Sequence, residues 1–112
     1  MNVTHENAGD HLLVSVTGQI NSANAAHVES QLLDILSNEP GHWILNLAGV
    51  DYMSSAGLRV VLLLAKRLRE QQKRMVVCGL QARVYEVFDI SGFLNLLTVR
   101  DNAEQALLSL AS

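Results

Sequence analysis

An α/β fold with one mostly parallel sheet is predicted by three features of the sequence. Short β-rich runs alternate with segments whose apolar residues recur every three or four positions, which is the period of an amphipathic helix. Turn residues separate these segments, among them Asn7-Ala8-Gly9-Asp10 and Pro40-Gly41. Because parallel strands need helical crossovers, the alternation predicts the order ββαβαβαβα in one domain over residues 1–112.

The first third of the chain predicts a hairpin followed by a helix. A weak strand around Asn2–Glu6 precedes the β-rich run His11–Thr17, which ends at Gly18. Asn21 and Ser22 are residue types that begin helices, because their side chains accept hydrogen bonds from free backbone N–H groups. The apolar residues that follow at helical spacing, before Pro40 ends the pattern, are Ala25, Val28, Leu32, Ile35 and Leu36.

The middle of the chain predicts two apolar strands joined by a helix. Trp43–Leu47 is a nearly continuous apolar run, as expected of a strand covered by helices on both faces of a parallel sheet. A helix runs from the Ser54/Ser55 junction to about Gln72. The segment Arg74–Leu80 then predicts a third apolar strand.

The last third predicts a helix, a short strand and a final helix. The segment Ala82–Ile90 has its apolar residues on one side, and Gly92 is a suitable residue to end this helix. Leu97–Val99 predicts a short strand, and Asp101 is expected to cap the last helix. The residues that this helix is expected to bury are Ala103, Ala106, Leu107 and Leu110.

Composition and charge predict one compact core and argue against a nucleic-acid-binding protein. With 112 residues, 49% of them hydrophobic, the chain supports one compact core. The net charge is −3, and the basic residues cluster only at Lys66-Arg67-Arg69 and Lys73-Arg74 on one predicted helix and its end. A general nucleic-acid binder needs a more concentrated basic face, so no nucleic-acid partner is expected.

Cysteine content and hydropathy predict a cytoplasmic protein. The single cysteine, Cys78, excludes an internal disulfide and lies in an apolar run, where it is expected to act as a small buried hydrophobic residue. The first residues lack the basic and apolar regions of a signal peptide. The longest apolar run, Val60–Ala65, is far shorter than the roughly 20 residues that span a bilayer, so no membrane insertion is expected.

The segment Asp51-Tyr52-Met53-Ser54-Ser55-Ala56-Gly57 is the chemical focus of the sequence, because two adjacent hydroxyls stand where a buried strand meets a long helix. A helix N-terminus has free backbone N–H groups and the positive end of the helix dipole. It accepts a side-chain oxygen as a cap, and it tolerates a phosphate. Either serine could therefore cap the helix, and one could be a site of modification.

Other site chemistries fit this sequence poorly. Ser55-Ala56-Gly57 matches part of a nucleophile elbow, but Met53 stands where that motif needs glycine. All the histidines precede Ser55, whereas the base of an α/β-hydrolase follows its serine. These histidines, which lack the i,i+4 pairing of a metal site, are His5, His11, His27 and His42. The segment Gly18–Asn21 has too few glycines to hold a nucleotide, so neither catalysis, a cofactor nor a metal is expected.

Four segments in order resemble one family over almost the whole chain. They are Gly18-Gln19-Ile20-Asn21, Asp51-Tyr52-Met53-Ser54-Ser55-Ala56-Gly57-Leu58, Val76-Val77-Cys78-Gly79-Leu80 and Val84-Tyr85-Glu86-Val87-Phe88. Together they resemble the STAS domain family and, more narrowly, its stand-alone anti-sigma factor antagonists. The resemblance implies a single STAS-like domain.

The function that this resemblance implies is a switch between partners. The unmodified antagonist binds an anti-sigma factor that is also a serine kinase, and phosphorylation by that kinase ends the binding until a PP2C-type phosphatase reverses it. Aligned through Ala56-Gly57, the family's phosphorylated serine falls on Ser55, and Ser54 is then expected to cap the helix. The sequence departs from the family at Ser54, where many members have aspartate, and at Asn21, where most have aspartate.

Helical geometry predicts which residues accompany Ser55 on the surface. At about 100° per residue, Arg59 and Lys66 lie within about 40° of Ser55, and Leu62 falls on the same side with Leu63 at its flank. One broad side of the helix, which faces the core, is expected to hold Leu58, Val61, Leu64, Ala65 and Leu68. The two leucines Leu62 and Leu63 are either covered by a neighbouring helix or form an exposed apolar contact for a partner. The residues expected to bind a partner are Asn21, Ser22, Ser54, Ser55, Ala56, Gly57, Arg59, Leu62, Leu63 and Lys66.

A scaffold is the alternative to a switch. STAS-like domains also serve as non-catalytic subunits of membrane transport complexes, of the ABC type or carrying lipids or anions, without a phosphate cycle. Asn21 in place of an acidic residue favours this alternative slightly, whereas the intact Ser54-Ser55-Ala56-Gly57 favours the switch.

Overall fold

The computed structural model describes residues 1–111 and has its elements in the predicted order ββαβαβαβα. The strands are β1 (Asn2–Ala8), β2 (His11–Ile20), β3 (Trp43–Met53), β4 (Met75–Cys78) and β5 (Thr98–Arg100). The helices are α1 (Ala25–Asn38), α2 (Ser55–Glu70), α3 (Ala82–Ile90) and α4 (Ala103–Ala111). A 3₁₀ turn at Phe93–Asn95, which was not predicted, lies between α3 and β5.

One sheet contains the five strands in the order β1-β2-β3-β4-β5. A tight turn at Gly9 makes β1 antiparallel to β2, whereas the helical crossovers make β2, β3, β4 and β5 parallel. The carboxyl ends of parallel strands lie at the same edge of a sheet, and here Ile20 at the end of β2 pairs with Met53 at the end of β3. The segments that begin α1 and α2 therefore leave the sheet side by side.

Helices cover both faces of the sheet. Residues from α1, α2 and α3 pack on one face in a single apolar cluster with β2 and β3, which includes Val28, Leu64 and Phe88. On the other face α4 packs Ala106 and Leu110 against β3 and β4. Successive side chains of a strand point to opposite faces, which is why one short strand can serve both clusters.

The strand at Trp43–Leu47 is buried as predicted. Ile44 is 1% exposed and belongs to the cluster under α4, whereas Leu45 and Leu47 are 0% exposed and belong to the opposite cluster. Cys78 is also fully buried, and desolvation raises the pKa of its thiol to about 11. Its expected role as a small buried hydrophobic residue is confirmed.

The pairing of β2 with β3 extends beyond the predicted ends of both strands. Gly18 was expected to end β2, but its φ of 94° lies at a shift in register, after which β2 continues to Ile20. The partner strand β3 correspondingly continues to Met53. A glycine at a register shift resembles a turn glycine in sequence, because both positions require φ values that other residues avoid.

The helix α2 ends at Glu70, two residues before the predicted Gln72. Gln72 has a φ of 60°, and its N–H donates to the carbonyl of Arg69 while the N–H of Lys73 donates to the carbonyl of Leu68. These two bonds form a Schellman motif, which normally has glycine at the left-handed position. Glutamine in that position gives no signal of a helix end, which explains the longer prediction.

Two predictions for the last helix were wrong. Asn102, rather than Asp101, caps α4, because its Oδ1 accepts a hydrogen bond of 2.9 Å from the N–H of Gln105. Leu107 is 37% exposed rather than buried, because α4 presents Ala106 and Leu110 to the sheet. By contrast, α3 has the predicted bounds, and Gly92 beyond it is left-handed with a φ of 78°.

Candidate functional site

The two serines at the start of α2 have different environments. Ser54 is the N-cap, and its Oγ accepts a hydrogen bond of 3.3 Å from the N–H of Gly57. Ser55 is the first residue of the helix, is exposed, and forms no hydrogen bond through its hydroxyl to another described residue. The capping role predicted for Ser54 is confirmed, and the hydroxyl of Ser55 is available to solvent.

Gly57 lets α2 begin close to the end of β2. A Cβ atom at this position would lie 2.7 Å from Cγ2 of Ile20 and 2.9 Å from Cγ of Met53. Both distances are shorter than a van der Waals contact, so any side chain here would push the helix away from the strand ends. The glycine is required by packing rather than by its backbone conformation.

A turn held by two asparagines lies beside this helix start. Oδ1 of Asn21 accepts hydrogen bonds from the N–H groups of Ala23 (2.9 Å) and Asn24 (3.1 Å). In return, Oδ1 of Asn24 accepts a hydrogen bond of 2.9 Å from the N–H of Asn21. Asn21 therefore shapes the entry to α1, but the N-cap is Asn24 rather than the expected Asn21 or Ser22. The carboxylate of an aspartate could accept the same two bonds. Ser22 follows on the exposed surface, and its side chain forms no hydrogen bond with another described residue.

A groove of about 290 Å³ runs beside the exposed serine. We call this the Ser55 groove; its lining residues are Ser55, Leu58, Arg59, Leu62, Ser91 and Phe93. Arg59, one helical turn after Ser55, is exposed and forms no hydrogen bond or ion pair with another described residue. The groove therefore joins an available hydroxyl, an unpaired cation and a half-buried apolar floor.

The structure separates the two leucines that were grouped with Ser55. Leu62 is half-buried and lines the Ser55 groove. Leu63 is also half-buried, but it lines a crevice between α1 and α2 together with Glu29 and Leu33. The interpretation that a neighbouring helix covers the leucines therefore fits Leu63, whereas Leu62 lines the open groove beside Ser55.

The remaining residues of α2 follow the predicted faces with two differences. Ala56 is half-buried against the main apolar cluster, and Lys66 is exposed. Val60 is buried, although the helical geometry does not place it on the core-facing side. Ala65 is only half-buried, although the same geometry predicts it on that side. The reason is that α1 covers the Val60 side of the helix while the flank at Ala65 borders a second groove.

Sequence reasoning missed the residues that close the Ser55 groove from the other side. Ser91 and Phe93 belong to the segment after α3, far from Ser55 in the chain. No spacing rule links the two segments. The one local signal was Gly92, which marks the turn that carries Phe93 away from α3.

The histidines do not form a catalytic arrangement with Ser55. His42 and His11 lie at the amino ends of β3 and β2, with ring centroids 5.6 Å apart, whereas Ser55 follows the carboxyl end of β3. His27 is exposed on α1.

Within residues 1–111, no group of three or more His, Cys, Asp or Glu side chains is arranged to hold a metal ion. Among the same residues, no helix is both long and apolar enough to cross a bilayer.

Comparisons with known proteins agree on one family. The STAS domain model matches residues 2–106. A relative from Bordetella bronchiseptica, named "Putative anti-sigma factor antagonist BtrV", is 42% identical over 106 residues, which cover 95% of this chain and 91% of the relative. The anti-sigma-B factor antagonist of Listeria monocytogenes is 30% identical over 93 residues, covering 82% of this chain and 81% of that protein.

Solved structures show the same fold at low sequence identity. An anti-sigma factor antagonist from Mycobacterium paratuberculosis superposes with a TM-score of 0.90 at 17% identity, covering 99% of this chain and 94% of that one. The unphosphorylated form of the anti-sigma factor antagonist SpoIIAA gives a TM-score of 0.78 at 17% identity, covering 98% of this chain and 96% of that one. The five-stranded sheet, the Ser54-Ser55-Ala56-Gly57 junction and the family match together show that the chain belongs to the STAS domain family.

Proposed function

We propose that this protein is an anti-sigma factor antagonist whose binding is controlled at Ser55. It binds an anti-sigma factor serine kinase when Ser55 is unmodified, releases it when Ser55 is phosphorylated, and is restored by a PP2C-type phosphatase. The names of the relatives from Bordetella and Listeria support the antagonist role. The observation on which this proposal rests concerns the two hydroxyls. The hydroxyl of Ser55 is exposed and forms no hydrogen bond with another described residue, whereas the hydroxyl of its neighbour Ser54 caps the helix.

The start of α2 can accommodate a phosphate without refolding. The N–H groups of Ser55 and Ala56 have no acceptor among the described residues, and the helix dipole favours negative charge at this end. Arg59 is one turn away and unpaired, so its guanidinium can pair with a phosphate. Modification of Ser55 is therefore expected to leave the fold nearly unchanged, and its effect must arise at the interface.

The Ser55 groove supports a contact that depends on charge. An apolar partner surface over Leu62 and Phe93 can desolvate a neutral hydroxyl at small cost. A phosphate adds about −1.5 to −2 charges, of which the single charge of Arg59 offsets only part, and burying the remainder in an interface costs several kcal/mol. That cost is enough to lower affinity by orders of magnitude. The position of Leu63 against α1 supports a packing role for that residue and leaves Leu62 as the leucine of the contact.

Phosphorylation and binding assays test this function. The protein is incubated with ATP and each serine kinase of this type encoded in the same genome, and the modified residue is mapped by mass spectrometry. We expect phosphate on Ser55 and none in Ser55→Ala. In calorimetric titration against the same kinase, Ser55→Ala binds as tightly as the unmodified protein, whereas Ser55→Asp binds weakly.

Two half-buried leucines of α2 provide a matched pair of variants for the same titration. Leu62→Ala is expected to weaken binding, while Leu63→Ala lowers stability with little effect on affinity, since Leu63 lines the crevice against α1. Equal affinities for Ser55→Ala and Ser55→Asp would contradict the switch. That result would favour a scaffold subunit of a membrane transport complex, in which the serine serves only the start of the helix.

A further inference from the structure

A second groove lies farther along α2, between its carboxyl-terminal half and the segment before β5. Two adjoining cavities of about 340 and 240 Å³ form it. We call it the basic groove; its principal lining residues are Ala65, Arg69, Lys73, Arg74, Leu96 and Leu97. Leu97 and Ala65 are half-buried, whereas Leu96 is 64% exposed, so the groove combines an apolar floor with an exposed apolar edge.

Positive charge is concentrated at this groove although the chain is acidic overall. The net charge of the chain is −3, yet four of its eight Lys and Arg residues line the two cavities and no acidic residue does. Lys66 and Arg69 are exposed and form no hydrogen bond or ion pair with another described residue. Among the described residues, the side chains of Lys73 and Arg74 bond to the carbonyl oxygens of Glu39 and Ser109, which leave the two charges uncompensated.

From this combination we propose that the basic groove binds an acidic amphipathic segment of a partner protein. Leucines of the segment would cover Leu96 and Leu97, and its carboxylates would pair with Arg69 and Lys73. The groove is concave and borders about 12 Å of α2, which matches about two turns of a helix. A flat anionic bilayer cannot enter such a concavity, and a nucleic acid has no side chains to cover the leucines.

This surface does not depend on modification of Ser55. Ser55 and Arg69 are 14 positions apart on α2, which corresponds to about 21 Å along the helix axis. Leu62 lines both grooves and marks the boundary between them. A charge added at Ser55 lies about two and a half Debye lengths from Arg69 at physiological ionic strength, so its influence there is screened.

A peptide titration monitored by amide NMR spectra tests the proposal. The probe is a synthetic helix-forming 16-residue peptide with leucine at i, i+3, i+4 and i+7 and glutamate at most other positions. We expect saturable shifts at Ala65, Arg69, Leu96 and Leu97. Affinity should fall at least about tenfold in the Arg69→Glu/Lys73→Glu double variant and change less than about twofold in Arg83→Glu, an exposed basic residue of α3.

Matched leucine variants, a Ser55 variant and three control probes complete the test. Leu96→Ser should weaken peptide binding, whereas Leu108→Ser, which alters a comparably exposed leucine (61%) of α4, should not. Ser55→Asp should bind the peptide as the unmodified protein does, which separates this surface from the proposed switch. Absence of peptide shifts, shifts outside the basic groove, equal binding of a peptide with lysine in place of glutamate, or binding only to phosphatidylglycerol vesicles or an oligonucleotide would overturn the proposal.

Discussion

The N–H of Ser54 donates a hydrogen bond of 2.9 Å to the carbonyl of Ile20, and this bond joins the carboxyl ends of β2 and β3. It brings the Asn21 turn and the start of α2 together, although the two segments are separated by the whole of α1 and β3. Ile20 also packs within the space that a Cβ at Gly57 would occupy. The junction is therefore held by one backbone bond and one close packing contact.

Gly57→Ala should destabilise the protein even though alanine favours helices. The helix-propensity gain is about 1 kcal/mol, but a methyl group 2.7 Å from Cγ2 of Ile20 forces a shift that costs about 1–3 kcal/mol in a packed site. Urea unfolding measures the net loss. In an Ile20→Ala background the cost of Gly57→Ala should shrink, and an undiminished cost would contradict the packing explanation.

Ser54→Ala should lower stability more than Ser55→Ala does. Removing the cap oxygen leaves the N–H of Gly57 without its acceptor, which typically costs about 1 kcal/mol. Ser55 is exposed and unbonded, so its replacement should change the free energy of unfolding by less than about 0.5 kcal/mol. Chemical unfolding of both variants checks this, provided that their m-values agree. A larger loss of unfolding free energy in Ser55→Ala than in Ser54→Ala would reverse the assignment of the cap.

Lowering the pH should decrease the stability of the protein through protonation of His42. Nδ1 of His42 accepts a hydrogen bond of 2.8 Å from the N–H of Arg74. Burial, followed by the charges of His11, Arg74 and Lys73, lowers the pKa of His42 below its ordinary value of 6.5. The unfolded chain therefore binds the proton more readily, so the contribution of His42 to stability is complete above pH 6.5 and is lost as the pH falls below that value.

His42→Asn provides the control for this pH effect. The Oδ1 of asparagine can accept the bond from Arg74 but does not titrate. Unfolding free energies measured between pH 5 and 8 should therefore fall less steeply toward acid in His42→Asn than in the unmodified protein. Identical slopes would show that His42 does not contribute.

Gln72→Gly should stabilise the protein. Gln72 has a φ of 60° at the end of α2, and a left-handed conformation costs a residue with a side chain about 1–2 kcal/mol. Glycine removes this strain but adds about 0.5–1 kcal/mol of unfolded-state entropy, which leaves a net gain of up to about 1.5 kcal/mol. Thermal unfolding should show a rise in Tm. Gln71→Gly, at a φ of −95°, should lower it.

Local patterns in the sequence determined the order of the elements and the capping role of Ser54. Trp43–Leu47 is apolar at every position but Asn46, and this alone indicated a strand covered on both faces. Ser54 and Ser55 stand at the start of a strongly periodic helix, where capping depends on residues only three positions apart. The STAS motifs then indicated which serine is a candidate for modification, because they occur in order along the chain.

Only the tertiary structure decided which surfaces these elements form. Leu62 and Leu63 are neighbours in sequence, yet packing of α1 against α2 places Leu63 in a crevice and leaves Leu62 beside Ser55. Phe93 and Leu96 reach α2 from a segment that no local spacing relates to it. Periodicity describes the faces of one element, whereas a groove exists only where two elements distant in sequence are packed together.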